Sequence, residues 1–183
     1  MQHYCRTIPS TDIAYHELQS TSPGPTVCIT ANLHGDELTG LAVVHRLLEM
    51  THISAGRLVL FPSLNPGGLR ASCRSLPGER EDINRRFPGD GSDTLGKYVR
   101  QIWNELVSIS PDYLIDIHTD SGHSIPYVIV DRAIRNGIPI DASWRLALST
   151  KLLCCWEYRK REYRKFDLDK SLAGSVLNYL RVP

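Results

Sequence analysis

Neither sign of charge dominates this sequence: 21 lysines and arginines stand against 20 aspartates and glutamates. So even a balance offers no broad field to draw in nucleic acid or an anionic membrane, and any anionic ligand must be met by a few placed arginines. Long apolar runs are also missing. None approaches the ~20 residues needed to cross a bilayer. The N-terminal MQHYCRTIPSTD has neither the basic flank nor the apolar stretch of a secretory signal. The five cysteines are odd in number and never spaced C-x-x-C, which argues against a disulfide framework and fits reduced thiols in a cytoplasmic protein. Cys154 and Cys155, inside an apolar stretch, are expected to be buried as small hydrophobes. No repeat, low-complexity block or linker divides the 183 residues, a length that suits one α/β domain.

What is present is an alternation of strand and helix patterns. Residues 11–19 read as a short strand after a polar start, and the β-branched run 26–31 (TVCITA) as a buried one. Residues 37–50 carry apolar side chains at helical spacing, and 57–61 (RLVLF) is another buried strand. The stretch 62–92 shows little periodicity, several Pro-Gly pairs and many charges, which predicts a long loop of the kind that carries function. A helix over 92–107, capped by Ser92 or Asp93, precedes strands at 111–119 and 125–130. A helix near 141–152, a strand near 153–157 and a last helix over 171–180 follow. The pattern predicts an α/β fold: a mixed, mostly parallel sheet flanked by helices, with its site at the carboxyl ends of the strands.

His34 follows the predicted strand 26–31 and His118 stands at the end of the predicted strand 111–119, so both belong on that rim. In His34-Gly-Asp-Glu37 an imidazole and a carboxylate stand three residues apart where a strand turns into a helix, and Gly35 frees the backbone for the turn. Three such N and O donors with water in the fourth position are what catalytic zinc takes. Asp116, two residues before His118, points to the same side of its strand and can receive the spare N–H of a ligand histidine.

The order H-G-D-E, N-P-G-G with following arginines, D-x-N-R-x-F-P-G and D-I-H-T resembles the succinylglutamate desuccinylase/aspartoacylase family, a branch of the zinc carboxypeptidases. The resemblance runs from Thr26 onward. It implies one zinc per chain on His34, Glu37 and His118, with Asp116 supporting a ligand histidine. It further implies that Asn84 and Arg85 grip a substrate carboxylate and that Arg74 polarises the scissile carbonyl, with Arg70 and Arg80 competing for that place. The implied activity is hydrolysis of an amide bond in a small N-acyl amino acid. The alternatives are a zinc carboxypeptidase acting on peptides and a non-catalytic remnant that binds zinc and carboxylates.

The pattern breaks at its end. The family's general base is a glutamate in an E-x-G context, on a strand after an I-P or V-P turn. This sequence reaches only Val182-Pro183, the lead-in to that strand. The expectation is a single domain, 1–183, lacking that strand, with impaired turnover. Glu157 and Glu162, the only glutamates after His118, sit beside a basic run and read as a solvated segment. The expected partner is a small carboxylate-bearing substrate, not nucleic acid or membrane. Association into a homo-oligomer is one way to cover an open sheet edge. The loop 119–126, including His123, is expected to line the pocket.

Overall fold

The computed structural model of the protein describes residues 1–119, 125–130, 140–156 and 170–176. Five strands form one mixed sheet: β1 (Gln2–Thr7), β2 (Ala14–Gln19), β3 (Thr26–Ala31), β4 (Arg57–Phe61) and β5 (Tyr113–Ile117). Their spatial order is β1-β2-β4-β3-β5. The β1/β2 and β2/β4 pairs are antiparallel, and β4/β3 and β3/β5 are parallel. A separate parallel pair joins β6 (Tyr127–Val130) to β7 (Leu153–Trp156). The helices are α1 (Leu38–Met50), α2 (Pro66–Ala71), α3 (Thr94–Ile109), α4 (Ile140–Ser149) and the short α5 (Leu172–Ser175). Among the described residues no helix is long and apolar enough to cross a membrane.

Period-two alternation decides which side chains meet which layer. Ile29, Leu58 and Leu60 point to one face and pack with Leu18, Ala31 and Val44 of α1. Cys28, Val59 and Phe61 point to the other, where Leu95, Val99, Ile102 and Leu106 of α3 meet them. Those four α3 residues recur at the three- and four-residue spacing of one helix face, and burying each stabilises the fold by about 1.5–3 kcal/mol. Asp93 caps α3, its carboxylate accepting from the Gly96 N–H at 2.6 Å. Tyr15 stacks on Phe61 with ring centroids 4.6 Å apart.

Three expectations are corrected. The polar start is strand β1: every residue in it is exposed, so it has no apolar alternation to betray it, and pairing with β2 alone fixes it. The stretch 62–92 is not loop throughout. It contains α2, whose N-cap Asn65 accepts from the Gly68 N–H at 2.8 Å, and a 3₁₀ turn over Ile83–Arg85. Cys154 and Cys155 are half-buried rather than buried, and both are free thiols. The last helix is described only over Leu172–Ser175; its remainder, together with Glu157, Glu162 and His123, lies outside the described residues.

Candidate functional site

The parallel strands β3 and β5 run side by side, with Ala31 opposite Ile117, so the chain leaves both at the same rim. Beyond β3 the backbone is drawn into a tight loop by Asn32, which takes a left-handed φ of 50° and is fully buried. Its side-chain N–H groups donate to the carbonyls of His34, Gly35 and Glu37 at 3.0–3.2 Å, while its Oδ1 accepts from Ser63 Oγ at 2.6 Å. One amide thus holds the whole His34–Glu37 segment. Gly35 is required for space: a Cβ there would lie 2.2 Å from the Gly68 carbonyl carbon and 2.4 Å from the Leu69 nitrogen. That approach packs the loop onto α2.

Glu37 occupies the N-cap position of α1 yet makes no side-chain capping bond. Its carboxylate points into the rim instead, near the positive end of the helix dipole, which favours an anion. Glu37 Oε1 lies 2.8 Å from His34 Nδ1, and Oε2 lies 2.9 Å from His118 Nδ1 and accepts from the Thr119 N–H at 3.0 Å. The opposite nitrogen of each ring meets a second carboxylate: His34 Nε2 is 2.9 Å from Asp82 Oδ1, and His118 Nε2 is 2.8 Å from Asp116 Oδ2. Asp116 is itself held by Thr30, whose hydroxyl donates to Oδ1 at 2.7 Å.

This geometry sets the electrostatics. Burial disfavours the charged form of His118, but the Asp116 carboxylate and then Glu37 outweigh it and push its pKa up to about 10. His34 is raised too, burial being overcome by hydrogen bonds to Asp82 and Glu37. Burial opposes ionisation of Glu37 and Asp82, yet the imidazoles hold both carboxyls well below the usual range. Both imidazoles are thus drawn towards their charged form around buried carboxylates, which is the place where a divalent cation could supply the positive charge instead.

The residues fit such an ion. One donor atom each from His34, Glu37 and His118 lies within 4.8 Å of the others. Each ring turns Nδ1 to the shared point and has Nε2 anchored by a carboxylate, the arrangement that orients histidine ligands of metals. The triad can thus hold a metal ion that takes N and O donors.

Of the other residues singled out in the sequence, Arg74 reaches the site: it donates to Glu37 Oε1 at 3.0 Å and to Asp82 Oδ2 at 3.1 Å. Its competitor Arg70 pairs with Asp12 at 2.5 Å on an exposed surface, and Arg80 is exposed. Asn84 Nδ2 stands 3.5 Å from His118 Nε2, and Asn84 Oδ1 accepts from the Leu172 N–H at 2.7 Å, tying α5 to the rim. Arg85 Nη1 donates to the Asn84 carbonyl at 2.8 Å in the same turn. Sequence reasoning gave no role to Asp82 or Asn32. Asp82 lay within the quoted D-x-N-R run; its carboxylate also accepts from the Asn84 N–H at 2.8 Å, and that local turn was the one available signal.

Comparisons with known proteins follow the same line. The family model described as "Succinylglutamate desuccinylase/Aspartoacylase catalytic domain" matches residues 23–148. An N-alpha-acetyl-L-2,4-diaminobutyric acid deacetylase from Halomonas elongata is 26% identical over 98 residues, covering 52% of this chain and 29% of the relative. The crystal structure of an aspartoacylase family protein from Mesorhizobium loti superposes with a TM-score of 0.75 at 20% identity, over 97% of this chain and 57% of that one. The cell shape determinant Csd4 from Helicobacter pylori, with a tripeptide bound, gives 0.71 at 17% identity, over 91% of this chain and 47% of that one. The chain therefore spans well under two thirds of these relatives, and the two structures speak for the fold alone. The family model covers more than half of the sequence and takes in the whole rim with its candidate metal ligands, and the chain belongs to the succinylglutamate desuccinylase/aspartoacylase family.

Proposed function

We propose that the protein is a zinc-dependent amidohydrolase that removes the acyl group from small N-acyl amino acids. The observation that carries this is the pair of imidazoles turned by Nδ1 to Glu37 and anchored at Nε2 by Asp82 and Asp116. Two nitrogens and a carboxylate are the donor set of catalytic zinc. When bound, zinc lowers the pKa of water and polarises an amide carbonyl.

The chain's own residues supply the rest. Asp116 and Asp82 fix the tautomers of the two ligand rings, leaving their Nδ1 lone pairs for the metal. Arg74 would donate to an oxygen that gains negative charge as the amide is attacked, a reading supported by its guanidinium lying between Glu37 and Asp82 with 43% of its side chain exposed. Asn84 and Arg85 offer N–H donors to the carboxylate of the substrate, a role in which a guanidinium makes two parallel bonds. Glu37, Asp82 and Asp116 are each engaged by an imidazole, so the general base is assigned to none of them. The deacetylase from Halomonas elongata makes N-acetyl diamino acids the first substrates to try, followed by N-succinyl amino acids.

The test is release of free amine by the zinc-loaded protein from that panel, against the protein treated with chelator and against His118→Ala. The expected result is slow turnover, lost in both controls. Turnover that survives chelation and His118→Ala unchanged would overturn the assignment.

A further inference from the structure

The edge of the sheet farthest from the rim carries a second group of metal-ligating side chains. Cys5 on β1 stands directly opposite His16 on β2. Directly opposed residues of an antiparallel pair share a face, with Cβ atoms about 4.5–5.5 Å apart. His3, two residues along β1, points to that same face. The rings of His3 and His16 already meet: His3 Nε2 lies 3.1 Å from His16 Nδ1, with centroids 5.3 Å apart. Two nitrogens bound to one tetrahedral zinc at about 2.0–2.1 Å stand about 3.3 Å apart, so the spacing of the pair suits one ion once the hydrogen bond between the rings is exchanged for two bonds to the metal. His45 of α1 borders the same face and acts electrostatically on His16.

We propose that His3, Cys5 and His16 form a second metal site, for an ion that accepts both imidazole and thiolate, of the Zn2+ or Cu+ class. Strand β4 lies between its β1 and β2 ligands and the β3–β5 rim, and those ligands include sulfur where the rim has none. Cys5 is an exposed free thiol on the strand position opposite His16; its Sγ must turn towards the imidazole pair for the three to share one ion, and an exposed side chain can do so without displacing core packing. On binding, the thiol releases its proton to solvent and the sulfur lone pair goes to the metal; nothing is oxidised or reduced. Burial and the neighbouring His3 and His45 lower the pKa of His16, which leaves its lone pair available near neutral pH. Water completes the coordination. Thiolate with imidazole selects borderline and soft ions over magnesium or calcium.

The experiment uses the metal-free protein titrated with Zn2+ and, separately, with Co2+. The unmodified protein should take up one equivalent more than the double variant Cys5→Ser/His16→Ala. In His118→Ala, which disables the rim, cobalt should still give a near-ultraviolet sulfur-to-cobalt charge-transfer band, and adding Cys5→Ser should abolish it. Unchanged stoichiometry in the double variant, or no sulfur band in His118→Ala, would overturn the proposal. A loss in His118→Ala alone reports on the rim, so the two sites fail separately. Far-ultraviolet circular dichroism of each variant confirms that the sheet is retained.

Discussion

Replacing Asp82 by asparagine removes a charge from the site while keeping shape and an acceptor oxygen. Three donors converge on that carboxylate: His34 Nε2 at 2.9 Å, the Asn84 N–H at 2.8 Å and Arg74 Nη2 at 3.1 Å. An asparagine can still accept from the Asn84 N–H, so the 3₁₀ turn should survive. What is lost is the anion that, on the proposed assignment, makes His34 a better ligand, and that gives Arg74 its second anchor. Removing such a supporting group typically weakens metal binding about 10–100-fold, or about 1.4–2.8 kcal/mol. Exposure decides where in that range each variant falls. The Asp82 side chain is 29% exposed and that of Asp116 is 7% exposed, so water screens the first more. Asp82→Asn should therefore sit near tenfold and Asp116→Asn nearer a hundredfold. The assay is zinc competition against a chromophoric chelator at constant pH, in a Cys5→Ser background so that the thiol contributes nothing. If Asp82→Asn binds zinc as tightly as its parent while Asp116→Asn is weakened, Asp82 is only a cap for the turn, and its assigned role is refuted.

Gly35→Ala would press a methyl group against the backbone of Gly68 and Leu69; a loss of about 1–3 kcal/mol in urea unfolding is expected, and an unchanged midpoint would mean the loop can retreat. Arg85→Lys should weaken a carboxylate ligand more than tenfold, since a point charge cannot reproduce the two-pronged guanidinium; titration with an N-acyl amino acid checks it, and equal affinity puts the carboxylate elsewhere. The metal-free protein should lose stability as pH rises. His118 is pushed up to about 10, against about 6.5 in the unfolded chain. Between those values the native state holds more protons, and stability present below the lower one is lost through the upper. Denaturant melts at pH 7 and pH 10 should show this fall, and a flat or rising profile would contradict it.

That His34 and His118 meet at one rim was legible because both sit where strand patterns stop: His34 after the run 26–31 and His118 at the end of the predicted strand 111–119, both marked by β-branched or aliphatic sequence. The strands 26–31 and 57–61 have the bounds read from the sequence, since a continuous apolar run signals a strand buried on both faces. β1 was not legible because an all-exposed edge strand has no periodicity. The six-residue α2 is too short to show a helical period, and Asn65 and the approach of Gly35 hold it in place. Asp82 escaped notice because its partner His34 is 48 residues away in sequence, a contact that only the folded chain brings about. Asn32 has the same explanation: its role rests on three carbonyls in a loop whose shape it helps to create.

The central claim is that His34, Glu37 and His118 hold one metal ion between the ends of β3 and β5. An anomalous difference map at the zinc edge, from crystals of the protein grown with zinc, tests it most directly. The account predicts a peak about 2.0–2.2 Å from the two Nδ1 atoms and a Glu37 oxygen, with Asp82 and Asp116 still on the Nε2 atoms. An ordered rim without a peak, its three side chains still bonded to one another, would contradict it.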